Sequence, residues 1–293
     1  MCGCANCAGR SPRTFAYSLI ILIFIRMNRL KKLLLFLVGE KRYLSLLASS
    51  FQTLYKTVGL GIDYQDIYFL REIIREGYYC ADIGAHLGYY TLELSRLVKT
   101  SGKVLAIEPM SKFHHTLRKL VSGSRASNIT LYQFAMGGDS DYVEMGIPKV
   151  NKTKKFAYAR IMKSNTYLEY IESERVKNET GDNLFYDLPR LDFVKCDVEG
   201  LEIPVFKGMM QTIARHKPIL LCELAEKNER ITLHEMLLPL GYKTYLLENK
   251  KLVLLDIHSD RKAISHNHYY IPAEHAERLG SLIVSGRPGL AGQ

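Results

Sequence analysis

Five short apolar runs, each ended by an acid or a turn former, alternate with amphipathic stretches through the middle of this chain. They lie within Gly77–Gly84, Gly102–Pro109, Asn128–Gly138, Leu191–Gly200 and Lys217–Leu224. After the first run, Tyr90, Leu94, Leu97 and Val98 recur at helical spacing, and Ser111 opens another helix that closes near Gly123. Continuous apolar runs of this length suit strands buried on both faces. Strands alternating with helices at this rhythm imply an α/β fold with a parallel sheet covered on both sides.

Residues Gly138 to Pro189 break the rhythm, being polar, mixed in charge and weakly periodic. An insertion of that length reads as a lid over a site, and "SNTYLEYIESERVKN" within it as a short surface helix. Farther on, "YKTYLLENKKLVLLDI" has two strand-like runs around Glu248-Asn249-Lys250, a hairpin signal. From Pro272 onward a brief helix and a frayed tail are expected.

The net charge of +10 suggests a nucleic-acid partner until it is located. Residues 1–60 hold nine Lys or Arg and one acid, Glu40, giving +8, and residues 61–293 hold 31 bases and 29 acids, giving +2. The main domain is therefore nearly balanced, which counts against a nucleic-acid groove. In the N-terminal segment, the apolar run Phe15–Ile25 is too short to span a bilayer and is followed by Arg26, Arg29, Lys31 and Lys32. Met27 opens a basic, amphipathic stretch by itself, so residues 1–26 read as an upstream extension. Two readings of the segment stand open: a peripheral contact with an anionic membrane, and a helix packed on the core. The expected organisation is a basic segment over 1–60, a main domain over 61–272 with its insertion at 138–189, and a tail over 273–293.

Cys80, Cys196 and Cys222 sit inside apolar runs, where a free thiol behaves as a small hydrophobe, and Cys2, Cys4 and Cys7 crowd the start of the chain. This is not a disulfide framework, and it points to a reducing, cytoplasmic compartment.

Function concentrates where the strands end. Asp82 closes the first run, and Gly84 and Gly88 flank a bend before a helix. Glycines there let backbone approach a ligand, and the helix start offers free N–H groups. Their G-x-x-x-G spacing is neither the dinucleotide fingerprint nor a P-loop. Glu108 ends the second run twenty residues after Gly88, where a carboxylate can accept hydrogen bonds from both ribose hydroxyls. The pattern points to a nucleoside-containing ligand.

The chain resembles FkbM-type S-adenosylmethionine-dependent methyltransferases in "ADIGAHLGYYTLELSRL", "GKVLAIEP", "NITLYQFAMGG" and, most specifically, "LDFVKCDVEGLEIPVFKGM" followed by "KPILLCEL". The resemblance covers roughly residues 78–225. It implies a doubly wound, Rossmann-like class I methyltransferase sheet, mostly parallel, with an antiparallel strand from the C-terminal hairpin. It implies that Asp82, Gly84 and Gly88, with Ala85 and His86 between them, face the methionine part of S-adenosylmethionine. Glu108 would then face the ribose, with Ala135 and Met136 near the adenine. His86 stands where the family usually has asparagine, and "TGDNLF" (Thr180–Phe185) replaces its usual Thr-Leu-Asp stretch.

A hydroxyl acceptor needs a base or a metal to become a nucleophile. Asp197 and Glu199 follow the fourth run and Glu223 ends the fifth, so these three are the candidate catalytic carboxylates, while Glu202 reads as a cap on the next helix. A proton acceptor among them is the favoured reading, with magnesium on the same oxygens as the alternative. His114 and His115 adjoin on a helix and point apart; His266 and His268 lack a nearby carboxylate or cysteine partner. Lys152, Lys154, Lys155 and Arg160 offer a charged loop to an anionic acceptor. The expected activity is O-methylation of a sugar, glycan or secondary metabolite. A nicotinamide-dependent oxidoreductase and a non-catalytic cofactor-binding protein are the alternatives.

Overall fold

The computed structural model describes residues 28–57, 64–138, 140–150, 153–154, 160–162, 169–258 and 266–284. The N-terminal cysteines, the apolar run Phe15–Ile25, Lys152, Lys155 and the end of the chain from residue 285 lie outside them. The chain divides into two compact units, Met1–Tyr64 and Gln65–Gln293. The first contains helices α1 (Asn28–Val38) and α2 (Glu40–Thr57), separated by Gly39 at φ +74°.

In the second unit, α3 (Gln65–Ile73) precedes strand β1 (Tyr79–Ile83), followed by α4 (Tyr89–Val98), β2 (Lys103–Ile107), α5 (Ser111–Ser124), β3 (Ile129–Tyr132) and the short β4 (Ala135–Met136). The insertion supplies β5 (Tyr142–Val150), β6 (Thr153–Lys154), β7 (Arg160–Ile161) and β8 (Tyr170–Glu179), then α6 (Gly181–Leu184). The main sheet resumes with β9 (Phe193–Cys196), α7 (Glu202–Lys207), α8 (Met210–His216), β10 (Ile219–Glu223) and α9 (Lys227–Leu237). It ends with β11 (Tyr242–Glu248), β12 (Lys251–Leu254), β13 (Asn267–Pro272), α10 (Ala273–Arg278) and β14 (Ile283–Val284).

The main sheet has the order β14-β12-β11-β13-β10-β9-β1-β2-β3. The five strands from β3 to β10 are parallel, as the alternation of runs and helices requires. Its strands feed two apolar layers by simple alternation: Cys80, Val104, Phe193 and Leu221 enter one, and Ala81, Leu105, Val194 and Leu220 the other. Both faces are buried, so the strands read as continuous apolar runs. This is the doubly wound, mostly parallel Rossmann-like sheet that the resemblance implies.

Three expectations differ from the structure. The hairpin forms as read, β11 against β12 across Asn249 and Lys250, both at positive φ. It does not provide the antiparallel strand beside the parallel core. That strand is β13, which slots between β10 and β11 and runs against both. Its Tyr269, Tyr270 and Ile271 are fully buried, which drives the insertion. The expected tail also returns to the sheet, since β14 pairs with β12 after α10.

The insertion, third, is a small sheet in which β8 pairs antiparallel with β5 and parallel with β4. The segment expected to be a helix contains most of β8. Along that strand, inward and exposed positions alternate, but the inward ones carry Glu172 and Glu174. These pair with Lys112 and with Ser111 on α5. A strand whose covered face is acidic has no hydrophobic alternation to read.

Candidate active site

Register brings the candidate residues together. Ile83 of β1 pairs with Ile107 of β2 and with Cys196 of β9, and Cys196 pairs with Cys222 of β10. The next residue in each strand direction is Gly84, Glu108, Asp197 or Glu223. Four segments distant in sequence therefore leave one edge of the sheet side by side. They line a cleft of about 350 Å³, at the carboxyl ends of the strands, where open α/β sheets hold ligands.

Gly84 adopts φ +77°, and a Cβ there would lie 1.9 Å from the carbonyl oxygen of Asp197. The β1 bend and the β9 end approach so closely that no side chain fits. The Gly84 and Ala85 amides both donate to the Ile107 carbonyl, at 3.0 and 2.9 Å, which folds the bend over β2. Gly88, at φ +80°, begins α4, and its amide donates to the Ala85 carbonyl at 2.8 Å. His86 takes a left-handed conformation at φ 47°, with its ring tilted against Phe113 at a centroid distance of 4.4 Å. Ala85 and His86 both line the cleft, as do the buried Ala135 and Met136 of β4 on another wall.

Glu108 is buried and pinned. Its Oε2 accepts the His86 amide at 2.8 Å and its Oε1 the Met110 amide at 2.9 Å. Burial pushes its carboxyl up to about 7, against the lowering effect of those two hydrogen bonds. Each oxygen spends one lone pair on the backbone and keeps another for a ligand.

Asp82 stands elsewhere than expected. It is fully buried beneath the cleft and is not one of its lining residues. Its Oδ2 accepts the Thr91 hydroxyl at 2.6 Å, and its Oδ1 lies 3.7 Å from the Lys195 ammonium. Lys195, which the motif spacing does not single out, is the hub of the floor. Its Nζ donates to Asp197 Oδ2 at 3.1 Å and to the Gly84 carbonyl at 3.2 Å, and sits 5.2 Å from the Tyr90 ring centroid. Desolvation alone would lower the pKa of this buried ammonium, but Asp197 and Asp82 more than reverse it and hold it charged. The signal was there: a lysine inside the run "LDFVKC" must find a counter-charge, and Asp82 sits at the matching position of the adjacent run.

The remaining acids divide by partner. Glu199, at φ 57°, receives Arg160 of the insertion at 3.2 Å. Burial and then Asp197 raise its carboxyl to about 7, with Arg160 opposing. Glu223 lies open to the cleft, and its carboxyl makes no hydrogen bond or ion pair among the described residues. Partial desolvation by the cleft walls and then the neighbouring Asp197 push it to about 7, with Lys195 opposing. Glu202 accepts the Val198 and Gly200 amides at 3.0 Å each, so it shapes the turn before α7 as a cap would.

The histidine pairs noted in the sequence are not among the residues lining the cleft. His115 contacts Arg118 on α5 at 3.4 Å. His268 is buried with Nδ1 2.7 Å from the His266 carbonyl, and burial holds its pKa down to about 4. Among the described residues, no three His, Cys, Asp or Glu side chains are grouped so as to hold a metal ion. Thr180, in the departing "TGDNLF" stretch, caps α6 by accepting the Asn183 amide at 3.3 Å.

Several solved structures resemble this one. A methyltransferase FkbM from Methylobacillus flagellatus KT is 18% identical with a TM-score of 0.47, covering 78% of this chain and 53% of its own. The present chain thus spans about half the length of that protein. An S-adenosylmethionine-dependent O-methyltransferase from Thermotoga maritima is 14% identical, with a TM-score of 0.42 and coverage of 76% and 69%. A precorrin-6y C5,15-methyltransferase from Geobacter metallireducens GS-15 is 13% identical, with a TM-score of 0.41 and coverage of 73% and 89%. No curated protein sequence matches the chain. The methyltransferase FkbM domain family matches residues 82–247, from the buried aspartate of β1 into β11 and so across every strand end that lines the cleft. This chain belongs to the FkbM methyltransferase family.

Proposed function

We propose that this protein transfers a methyl group from S-adenosylmethionine to a hydroxyl oxygen of a sugar, glycan or secondary metabolite. The observation that carries the reading is the shared register of four strand ends. It brings the Glu108 carboxylate and a separate group of acids around one cleft. The residues fit the cofactor. Glu108 keeps one lone pair per oxygen for the ribose hydroxyls, and Phe113, Phe134 and Met136 give an apolar wall to a flat base. When bound, S-adenosylmethionine supplies a methyl group on a cationic sulfur that an oxygen nucleophile can take.

The chain's own part is to hold the acceptor in line and receive its proton. Glu223 is the proton acceptor in this reading, because its carboxyl is free of other partners and titrates near neutral pH. Asp197 is committed to Lys195 and so serves as a fixed hydrogen-bond acceptor for the acceptor hydroxyl. Glu199, tied to Arg160, joins the insertion to the same edge. Three buried, free thiols support a reducing, cytoplasmic setting.

Cofactor binding tests the first half of the reading. Calorimetric titration at pH 8 should show S-adenosylmethionine binding to the parent, and Glu108→Ala should weaken it roughly ten- to a hundredfold, the worth of one or two charge-assisted hydrogen bonds. Equal binding by the variant overturns the ribose assignment. NAD binding without S-adenosylmethionine binding would favour the oxidoreductase alternative.

Transfer tests the second half, using labelled methyl and a panel of glycans and polyols. Glu223 works as the charged form, so transfer should rise tenfold per pH unit up to about 7 and level off above it. Glu223→Gln should cut transfer roughly a hundredfold and remove that limb, with cofactor affinity unchanged. A variant that keeps the parent's pH profile excludes Glu223 as the base. Cofactor binding with no transfer to any acceptor is the outcome expected of a non-catalytic protein.

A further inference from the structure

Leu33, Phe36 and Leu37 on α1 are 50%, 85% and 66% exposed. Phe36 is the most exposed large apolar side chain among the described residues. Spacings of three and four put the trio on one helix face. Single exposed apolar side chains are ordinary, but a contiguous stripe marks a contact surface. Gly39 ends this helix, and the exposed Lys41 and Arg42 follow at once on α2.

Charge says what the stripe meets. It lies in the segment with nine basic residues and one acid, whereas the rest of the chain is nearly neutral. A second copy docked there would oppose +8 with +8, which disfavours self-association. An anionic bilayer suits both features. Leu and Phe enter the boundary between headgroups and acyl chains, while Lys and Arg stay level with the phosphates. The length of α1 suits a helix lying in that plane, and no described helix is long and apolar enough to cross a membrane.

We propose that α1 docks this protein on an anionic lipid surface through Leu33, Phe36 and Leu37, with the basic residues of the N-terminal segment supplying the attraction. The inference does not depend on the methyl-transfer reading.

Co-sedimentation of the full chain with vesicles tests it. One set is phosphatidylcholine alone, and the other is about one-third phosphatidylglycerol. Binding should favour the anionic set and weaken as salt is raised. The double variant Phe36→Asp/Leu37→Asp should lower partitioning at least tenfold and leave the melting temperature unchanged, since both side chains are exposed. Unchanged partitioning by the variant overturns the proposal and transfers the contact to another part of the segment. Equal binding to both vesicle sets overturns the electrostatic half. If light scattering shows a dimer that the double variant dissolves, the stripe's partner is a second copy and the lipid assignment fails.

Discussion

Replacing Lys195 with methionine is expected to destabilise this protein by about 3–5 kcal/mol, the usual cost of removing one partner of a buried ion pair. Methionine nearly matches the lysine stem in volume, so the loss is electrostatic rather than a cavity. Lys195 is 6% exposed, and its ammonium sits between two carboxylates and the Gly84 carbonyl. Without it, Asp82, at 0% exposure, keeps only the Thr91 hydroxyl. Burial already raises the Asp82 pKa, with Lys195 the chief opposing influence, so the variant should bind a proton at Asp82 on folding. Its stability should consequently improve as the pH is lowered, through the range between the folded and unfolded pKa values of that group. Chemical denaturation of Lys195→Met, alone and with Asp82→Asn, checks this. The double variant should regain part of the loss, because a neutral amide removes the uncompensated charge. A single variant within about 1 kcal/mol of the parent would mean that the pair contributes little and that water reaches Asp82.

The second large effect belongs to Gly84→Ala. Two costs combine there. A left-handed conformation costs an alanine about 1–2 kcal/mol. A methyl group 1.9 Å from the Asp197 carbonyl oxygen must also push the ends of β1 and β9 apart, and such overpacking typically adds about 1–3 kcal/mol. The same displacement moves the Lys195 hydrogen bond to the Gly84 carbonyl and tilts the bend that carries the His86 amide to Glu108. The expected result is a fall in the denaturation midpoint together with loss of detectable cofactor binding. Gly241→Ala is the control. Gly241 has a similar φ of +82°, but an added Cβ meets nothing within 4 Å, so only the conformational cost applies. If the two alanine variants lose equal stability, the close approach of β1 and β9 is not what requires glycine at position 84.

These two residues mark where a linear reading succeeds and where it stops. Gly84 was legible because a glycine directly after an apolar run, two residues past its acid, has few other uses. Glu108, Asp197 and Glu223 were legible because each ends such a run, and parallel strands of similar length end together. Lys195 is harder to read: Asp197 lies two residues on, but the second carboxylate, Asp82, is more than a hundred residues away, and only the pairing of β1 with β9 sets it opposite the lysine. Asp82 is the opposite case: its place in the motif suggests a ligand contact, and the structure adds what the motif does not show, a side chain buried in the floor beside Lys195.

The parallel core, the glycine bend and the acids at its strand ends follow from local pattern, since apolar runs must be buried and the chain must turn where they stop. The placement of β13 inside the sheet, the insertion's polar-faced strand, the Arg160–Glu199 pair and the Lys195 hub were decided by tertiary structure. Each depends on the register or charge of a distant segment, which the spacing of neighbouring residues does not encode.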